Sequence, residues 1–443
     1  MSINRHGAFV FTVLNIIMTT TTADAFPDTA ATKRRDWKII SLIGVAHSCS
    51  HFFQLVFPTL FLSLSAAFGY DYVQLGILVS IFFIFSGMGQ AASGFVVDRM
   101  GAAPVLQFGL ACFVVMGVLI GLAHSYTMLV VAAIIGGLGN AVFHPADFAI
   151  LNHRVSPRRL GHAFSTHGFT GNLGWALTPI FMTTLIHWAD WRVAAFGAGA
   201  LVAVVLAVVW YGRHLLADEL AQQRKTLAEA EDGKKSLANQ SIGQTLATLA
   251  VQPALWGAFF FFAFASISLS AVQNYTIPML SGVYGIDKVM AGTALSVYMA
   301  ASALGMIAGG FLVSTSVASE RVVALSLVAA GLLLALLATG VLAPWLAIVF
   351  VTLGGFCAGV STPSRDMLIR RATPRGATGT VYGLVYSGMD VGAAVGPVVF
   401  GLMLDAGMRS GPWYGAALTF IVAAWMAWLV ARFVLQREAA LRG

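Results

Sequence analysis

The chain has 443 residues, 58% hydrophobic and only 10% charged, against roughly 25% charged residues in an ordinary soluble domain, which excludes a soluble fold. Its formal net charge of +7 does not signal nucleic acid, because the basic residues gather in loops on one side of a series of apolar stretches, where they set topology. Three cysteines, Cys49, Cys112 and Cys357, each fall in a different apolar stretch without paired or metal-like spacing, which argues against a disulfide framework.

Residues 1–37 read as a poorly ordered tail. Arg5, the apolar run from Gly7 to Met18 and Ala23-Asp24-Ala25 resemble a secretory signal with a small-residue cleavage site. Cleavage there would leave Lys33, Arg34 and Arg35 on the outer face, against the charge bias of every later loop, so the sequence favours initiation at Met18. Crossing a bilayer takes about 20 apolar residues. Twelve stretches qualify: 39–62, 72–96, 104–123, 127–151, 162–186, 191–211, 254–279, 288–313, 320–340, 345–369, 379–404 and 412–434. They are apolar all round, whereas strands of a membrane barrel alternate, so the prediction is an all-α bundle. Arg99, Arg154, Arg158, Arg159, Arg321, Arg370, Arg371 and Arg432 fall on the side of the tails, and only Arg192, Lys288 and Arg409 on the other. This bias places both termini and the 213–250 segment in the cytoplasm.

In chain order, the first span carries His47, His51, Gln54 and Pro58 at i, i+4, i+7 and i+11, a polar stripe on one helical face. Imidazoles there can accept protons near neutral pH, hydrogen-bond a substrate oxyanion, or simply bond to neighbouring helices. H-x-x-x-H also places two zinc ligands correctly, but a site needs a third, which the sequence does not nominate, so no metal is assigned. His144 and His167 stand on the fourth and fifth spans as cavity-floor candidates, and Asn172 and Asn274 on the fifth and seventh as hydrogen-bonding ones. The 213–250 segment, rich in Ala, Gln, Glu and Lys, reads as a linker between a bundle over 38–212 and another over 251–434, with a cytoplasmic tail at 435–443. The eleventh span holds Asp390 with Tyr386 and Tyr382 at i−4 and i−8, while Gly388, Gly392 and Gly396 form a ladder on the opposite face. If that ladder packs on a neighbouring helix, Asp390 points elsewhere, and a cavity that lets it bind and release a proton is the affordable place.

The two halves repeat each other. GGLGNAVFHP at 136–145 returns as GGFCAGVSTP at 354–363, and GNLGWALTP at 171–179 as MDVGAAVGP at 389–397. Duplicated transporters put their substrate between the repeats. Asp147 and Arg365 are equivalents in this repeat, 218 positions apart, which suggests an ion pair closing the inner side in one state; the alternatives are Arg365 snorkelling to the interface or pairing with Asp366.

The second span ends in GFVVDRMG, which resembles the signature of the major facilitator superfamily at Gly94, Asp98, Arg99 and Gly101. GLGNAVFHPADFAIL and STPSRDMLIR resemble the branch that includes fosmidomycin resistance transporters. The resemblance implies twelve transmembrane helices in two six-helix pseudo-symmetric bundles that rock about a central site, with Asp98 and Arg99 in a charged latch. Ala102 and Ala103 stand where the signature usually continues with basic residues, and Ser314 where its second copy has an acid, so a weaker latch is expected. The expected function is proton-coupled efflux of a small polar, anionic or drug-like molecule across the inner membrane by a monomer. It needs no cofactor beyond the proton gradient. Proton-coupled uptake and a transporter-derived membrane sensor are the alternatives. No nucleophile and base assemble for an enzyme.

Overall fold

The computed structural model describes residues 29–216, 253–313, 318–372 and 378–440. Most of the expected tails and linker lie outside these, as do the side chains of Asp98, Tyr382 and Tyr386. The first half comprises α1 (Ala30–Gln54), α2 (Val56–Phe68), α3 (Tyr72–Met100), α4 (Ala102–Gly121), α5 (Tyr126–Asn140), α6 (Phe143–Arg154), α7 (Leu160–Trp188), α8 (Trp191–Tyr211) and the short α9 (Arg213–Leu216). The second comprises α10 (Pro253–Tyr284), α11 (Lys288–Val313), α12 (Ser319–Ala338), α13 (Pro344–Ala372), α14 (Thr378–Asp405) and α15 (Gly411–Ala440). Eleven stretches among the described residues are long and apolar enough to cross a membrane, with α1–α2 and α5–α6 counting as one each. The twelfth, α7, is 29 residues long, but His162, His167, Asn172 and several hydroxyl residues dilute its apolar content.

Two spans of the first half are broken where continuous helices were expected. α1 gives way to α2 at Leu55, just before Pro58, and α5 to α6 at Ala141 and Val142, just before Pro145. Proline lacks an N–H and its ring crowds the carbonyl four residues back, here Gln54 and Ala141, so each helical ladder is interrupted at its joint. The first helix also begins at Ala30, inside the expected tail. It is held there by Asp36, fully buried, whose Oδ2 accepts bonds from Arg159 Nε at 2.9 Å, Ser156 Oγ at 2.6 Å and Ser156 N at 3.2 Å. A buried carboxylate needs such partners, and these tie the start of α1 to the α6–α7 turn.

The halves meet through α3 with α14, α7 with α11 and α2 with α10, whereas α1, α5, α6 and α13 pack chiefly within their own halves. These cross-contacts gather toward the end bearing loops 69–71, 189–190, 285–287 and 406–410. Asp405 Oδ1 and Oδ2 accept bonds from Tyr72 N at 3.0 Å and Val73 N at 2.8 Å. Ile180 N donates to Ser296 Oγ at 3.1 Å, and Phe61 packs on Tyr275, whose hydroxyl donates within the second half to the Pro397 carbonyl. Toward the other end, Phe95, Met100, Leu304 and Phe311 are exposed. The glycine ladder works as expected: Gly388 and Gly392 lie against the Phe259 and Ala263 carbonyls of α10, where any Cβ would collide.

Candidate functional site

The two broken spans meet at their joints. Asn140, the last residue of α5, receives bonds on Oδ1 from Ser50 Oγ at 2.7 Å and Gln54 Nε2 at 3.2 Å, and its Nδ2 donates to Ser86 Oγ at 2.7 Å. Gln54, the last residue of α1, accepts at Oε1 from Trp175 Nε1 at 2.9 Å. One network of side-chain hydrogen bonds thus joins α1, α3, α5 and α7 at the joints of the broken spans. Of its members only Gln54 stood out in the sequence. Asn140 and Trp175 were findable as breaks in the repeat, since their equivalents 218 positions on are Ala358 and Ala393.

One to two turns back along α1 lies a cluster of histidines about a single carboxylate. Asp147 on α6 is fully buried, and its Oδ2 stands 3.0 Å from His47 Nδ1 and 3.1 Å from His167 Nε2. The two imidazoles stack with centroids 3.5 Å apart; His51 and His144 lie 4.8 and 5.3 Å from His47 by the same measure. His51 then packs on Trp175 at 4.2 Å, which links the cluster to the Asn140 network. Small residues of α7 make room: a Cβ at Gly171 would stand 3.0 Å from the His51 ring and 3.2 Å from His47 Nε2. His47, His51, His144 and His167, read from three different spans, therefore belong to one group.

The structure gives Asp147 and Arg365 partners other than each other. α6 starts afresh at Phe143, so the face that Asp147 occupies is set by the break and turns into the first half, toward α1 and α7. Arg365 Nε pairs with its neighbour Asp366 at 3.0 Å, and its guanidinium lies 4.9 Å from the Phe262 ring centroid. Asn172 Nδ2 donates to the Gly168 carbonyl of its own helix, and Asn274 Nδ2 to Ser270 O and Oγ. Both are buried. Arg99 lies exposed in the last turn of α3.

Asp390 occupies a different kind of place. It is partly buried and points away from the glycine ladder, across the boundary between halves, so that a Cβ on Gly87 of α3 would come within 3.3 Å of its Cβ and Cγ. No described residue hydrogen-bonds to it. Four turns of α14 toward the closed end, Asp405 caps α3. The same pair of helices thus carries both the seal and an intramembrane carboxyl group.

The family model described as Major Facilitator Superfamily matches residues 42–313 and 259–441. Among curated relatives, a probable 4-methylmuconolactone transporter of Cupriavidus pinatubonensis is 28% identical over 44% of this chain and 46% of its own length. The fosmidomycin resistance protein of Escherichia coli is 30% identical over 40% and 45%. The membrane sensor protein UhpC of the same species is 22% identical over 54% and 55%. The chain spans about half the length of the curated relatives it matches. Among solved structures, a bacterial homologue of the human lysosomal transporter Spinster, inward-facing and unoccupied, superposes with a TM-score of 0.68 at 14% identity, covering 90% of this chain and 96% of that one.

Proposed function

The chain belongs to the Major Facilitator Superfamily, and on that premise we propose that it is a proton-coupled exporter of small polar, anionic or drug-like molecules in the inner membrane. The carrying observation is the position of Asp390 in the α3–α14 contact between the halves. Alternating access rocks one bundle against the other about a central site, so a group in that contact changes surroundings with every switch. A carboxylate there is costly when enclosed and cheap when wet; protonation removes the cost, which links proton binding to closure.

The bias of basic residues toward the open end makes that end cytoplasmic under the positive-inside rule. The structure is then an inward-open state with its outer seal made by Asp405, Tyr275 and the α7–α11 contact. Export is favoured by the likeness to the fosmidomycin resistance protein. The chain acts as a monomer, since coupling group, seal and cavity-facing helices lie in one polypeptide.

The test is flux in proteoliposomes loaded with fosmidomycin or 4-methylmuconolactone under an imposed pH gradient. Wild type moves at least one of them only with the gradient, and Asp390→Asn retains exchange at equal pH while losing gradient-driven flux. Gradient-driven flux of normal rate in a folded Asp390→Asn protein would overturn the assignment.

A further inference from the structure

Four buried atoms of the histidine cluster have no hydrogen-bond partner among the described residues: His47 Nδ1, His51 Nδ1, His144 Nδ1 and Asp147 Oδ1. His47 Nδ1 lies 3.0 Å from Asp147 Oδ2 yet lacks the alignment of a hydrogen bond. Native interiors leave few polar atoms unsatisfied, and each that remains asks for a water, an ion or a special role. Here they belong to one cluster, about a carboxylate that is 0% exposed. Its ion-pair partners, His47 and His167, are cationic only when protonated.

The spacing approaches that of a ligand set. Ligand atoms 2.0–2.1 Å from a tetrahedral zinc ion stand about 3.3 Å from one another. Asp147 Oδ2 is 3.0 Å from His47 Nδ1 and 3.1 Å from His167 Nε2. One ring nitrogen from each of His47, His144 and His167 lies within 4.8 Å of the others, a group that Asp147 flanks on the side of His47 and His167 rather than joins. His144, just past the α5–α6 break and with a partly exposed ring, is the ligand with room to close the remaining distance. Imidazole with one carboxylate suits zinc and its first-row neighbours, whereas magnesium and calcium prefer all-oxygen sets. A dication would also neutralise the buried Asp147, which a neutral imidazole cannot do.

We propose that His47, His144 and His167, with Asp147 beside them, form a binding site for a divalent transition metal of the zinc class, entered past His144, the most exposed of the three histidines. His51 packs behind His47 as an outer partner. The H-x-x-x-H pair thus contributes only His47 to the set; the other ligands come from two other spans, and His51 is displaced from it. The site is separate from Asp390, so it stands whether or not that residue couples protons.

The test uses the full-length protein, free of any histidine tag and stripped with chelator, titrated with Zn²⁺ by calorimetry and with Co²⁺ by optical absorption. Wild type takes up about one equivalent of Zn²⁺, and bound Co²⁺ shows the intense visible bands of a four-coordinate site. His144→Gln and His167→Gln each weaken binding by more than the roughly 10- to 100-fold expected for an outer-shell partner. His51→Gln stays within that range, and Asp390→Asn binds as wild type. Absence of saturable Zn²⁺ binding by wild type, a purely octahedral Co²⁺ spectrum, or unchanged affinity in a folded His144→Gln protein would each overturn the proposal. Should a variant fail to fold, the wild-type titration and spectrum decide it.

Discussion

The two halves share one scaffold and use it differently. Pro145 and Pro363 are repeat equivalents, yet Pro145 follows a break in its span while Pro363 sits inside an unbroken α13. The difference follows the side chains around it. In the first half Asn140 is held by Ser50, Gln54 and Ser86; at its equivalent stands Ala358, and small residues let α11 and α13 pack backbone to backbone through Gly305 and Gly309. Apolar packing with glycine approach accompanies the continuous proline-containing helix α13, while a network of side-chain hydrogen bonds gathers at the joints of the broken spans. The first half thereby turns its chemistry inward, into the Asn140 network and the histidine cluster. The second places its carboxyl group, Asp390, on the boundary.

Four substitutions, one of them with a control in the other half, probe that contrast in falling order of effect. Arg159→Met leaves the fully buried Asp36 with Ser156 alone among the partners described, and losing one member of a buried ion pair costs about 3–5 kcal/mol; denaturant unfolding in detergent reads the loss directly. Asn140→Ala removes the hub for three side chains and costs about 1–3 kcal/mol, whereas Ala358→Gly in the other half, with no network to strand, costs no more than about 1 kcal/mol in a helix. Equal losses at the two positions would contradict the assignment of the network to one half. Asp405→Ala takes the cap from Tyr72 N and Val73 N, worth about 0.5–2 kcal/mol. Because that bond crosses the halves, the loss falls on the sealed state, and a cysteine at Ser80, buried at 6% exposure, becomes more reactive to a membrane-impermeant thiol reagent. Asp366→Asn breaks the Arg365 pair, whose acid is 47% exposed, and changes stability by less than about 1 kcal/mol.

The spans, the repeat and the glycine ladder on α14 were legible because each is written in local spacing. So was the direction of Asp390, fixed once its opposite face was committed to α10. The position of Asp147 was not: symmetry pointed it at Arg365, but the helix break after Asn140 resets the face that α6 presents, and no local pattern records that reset. Nor does sequence spacing show that His144 and His167 meet the His47 stripe, since the meeting depends on how closely Gly171 and Gly174 let α7 approach α1. The early start of α1 was hidden for a similar reason, because Asp36 is anchored by residues some 120 positions away.

The most direct measurement is the proton released when substrate binds. In lightly buffered detergent solution, adding a transported substrate to wild type should acidify the medium as Asp390 gives up its proton, and the same addition to Asp390→Asn should not. Equal acidification by both proteins would contradict the placement of coupling at the boundary between the halves.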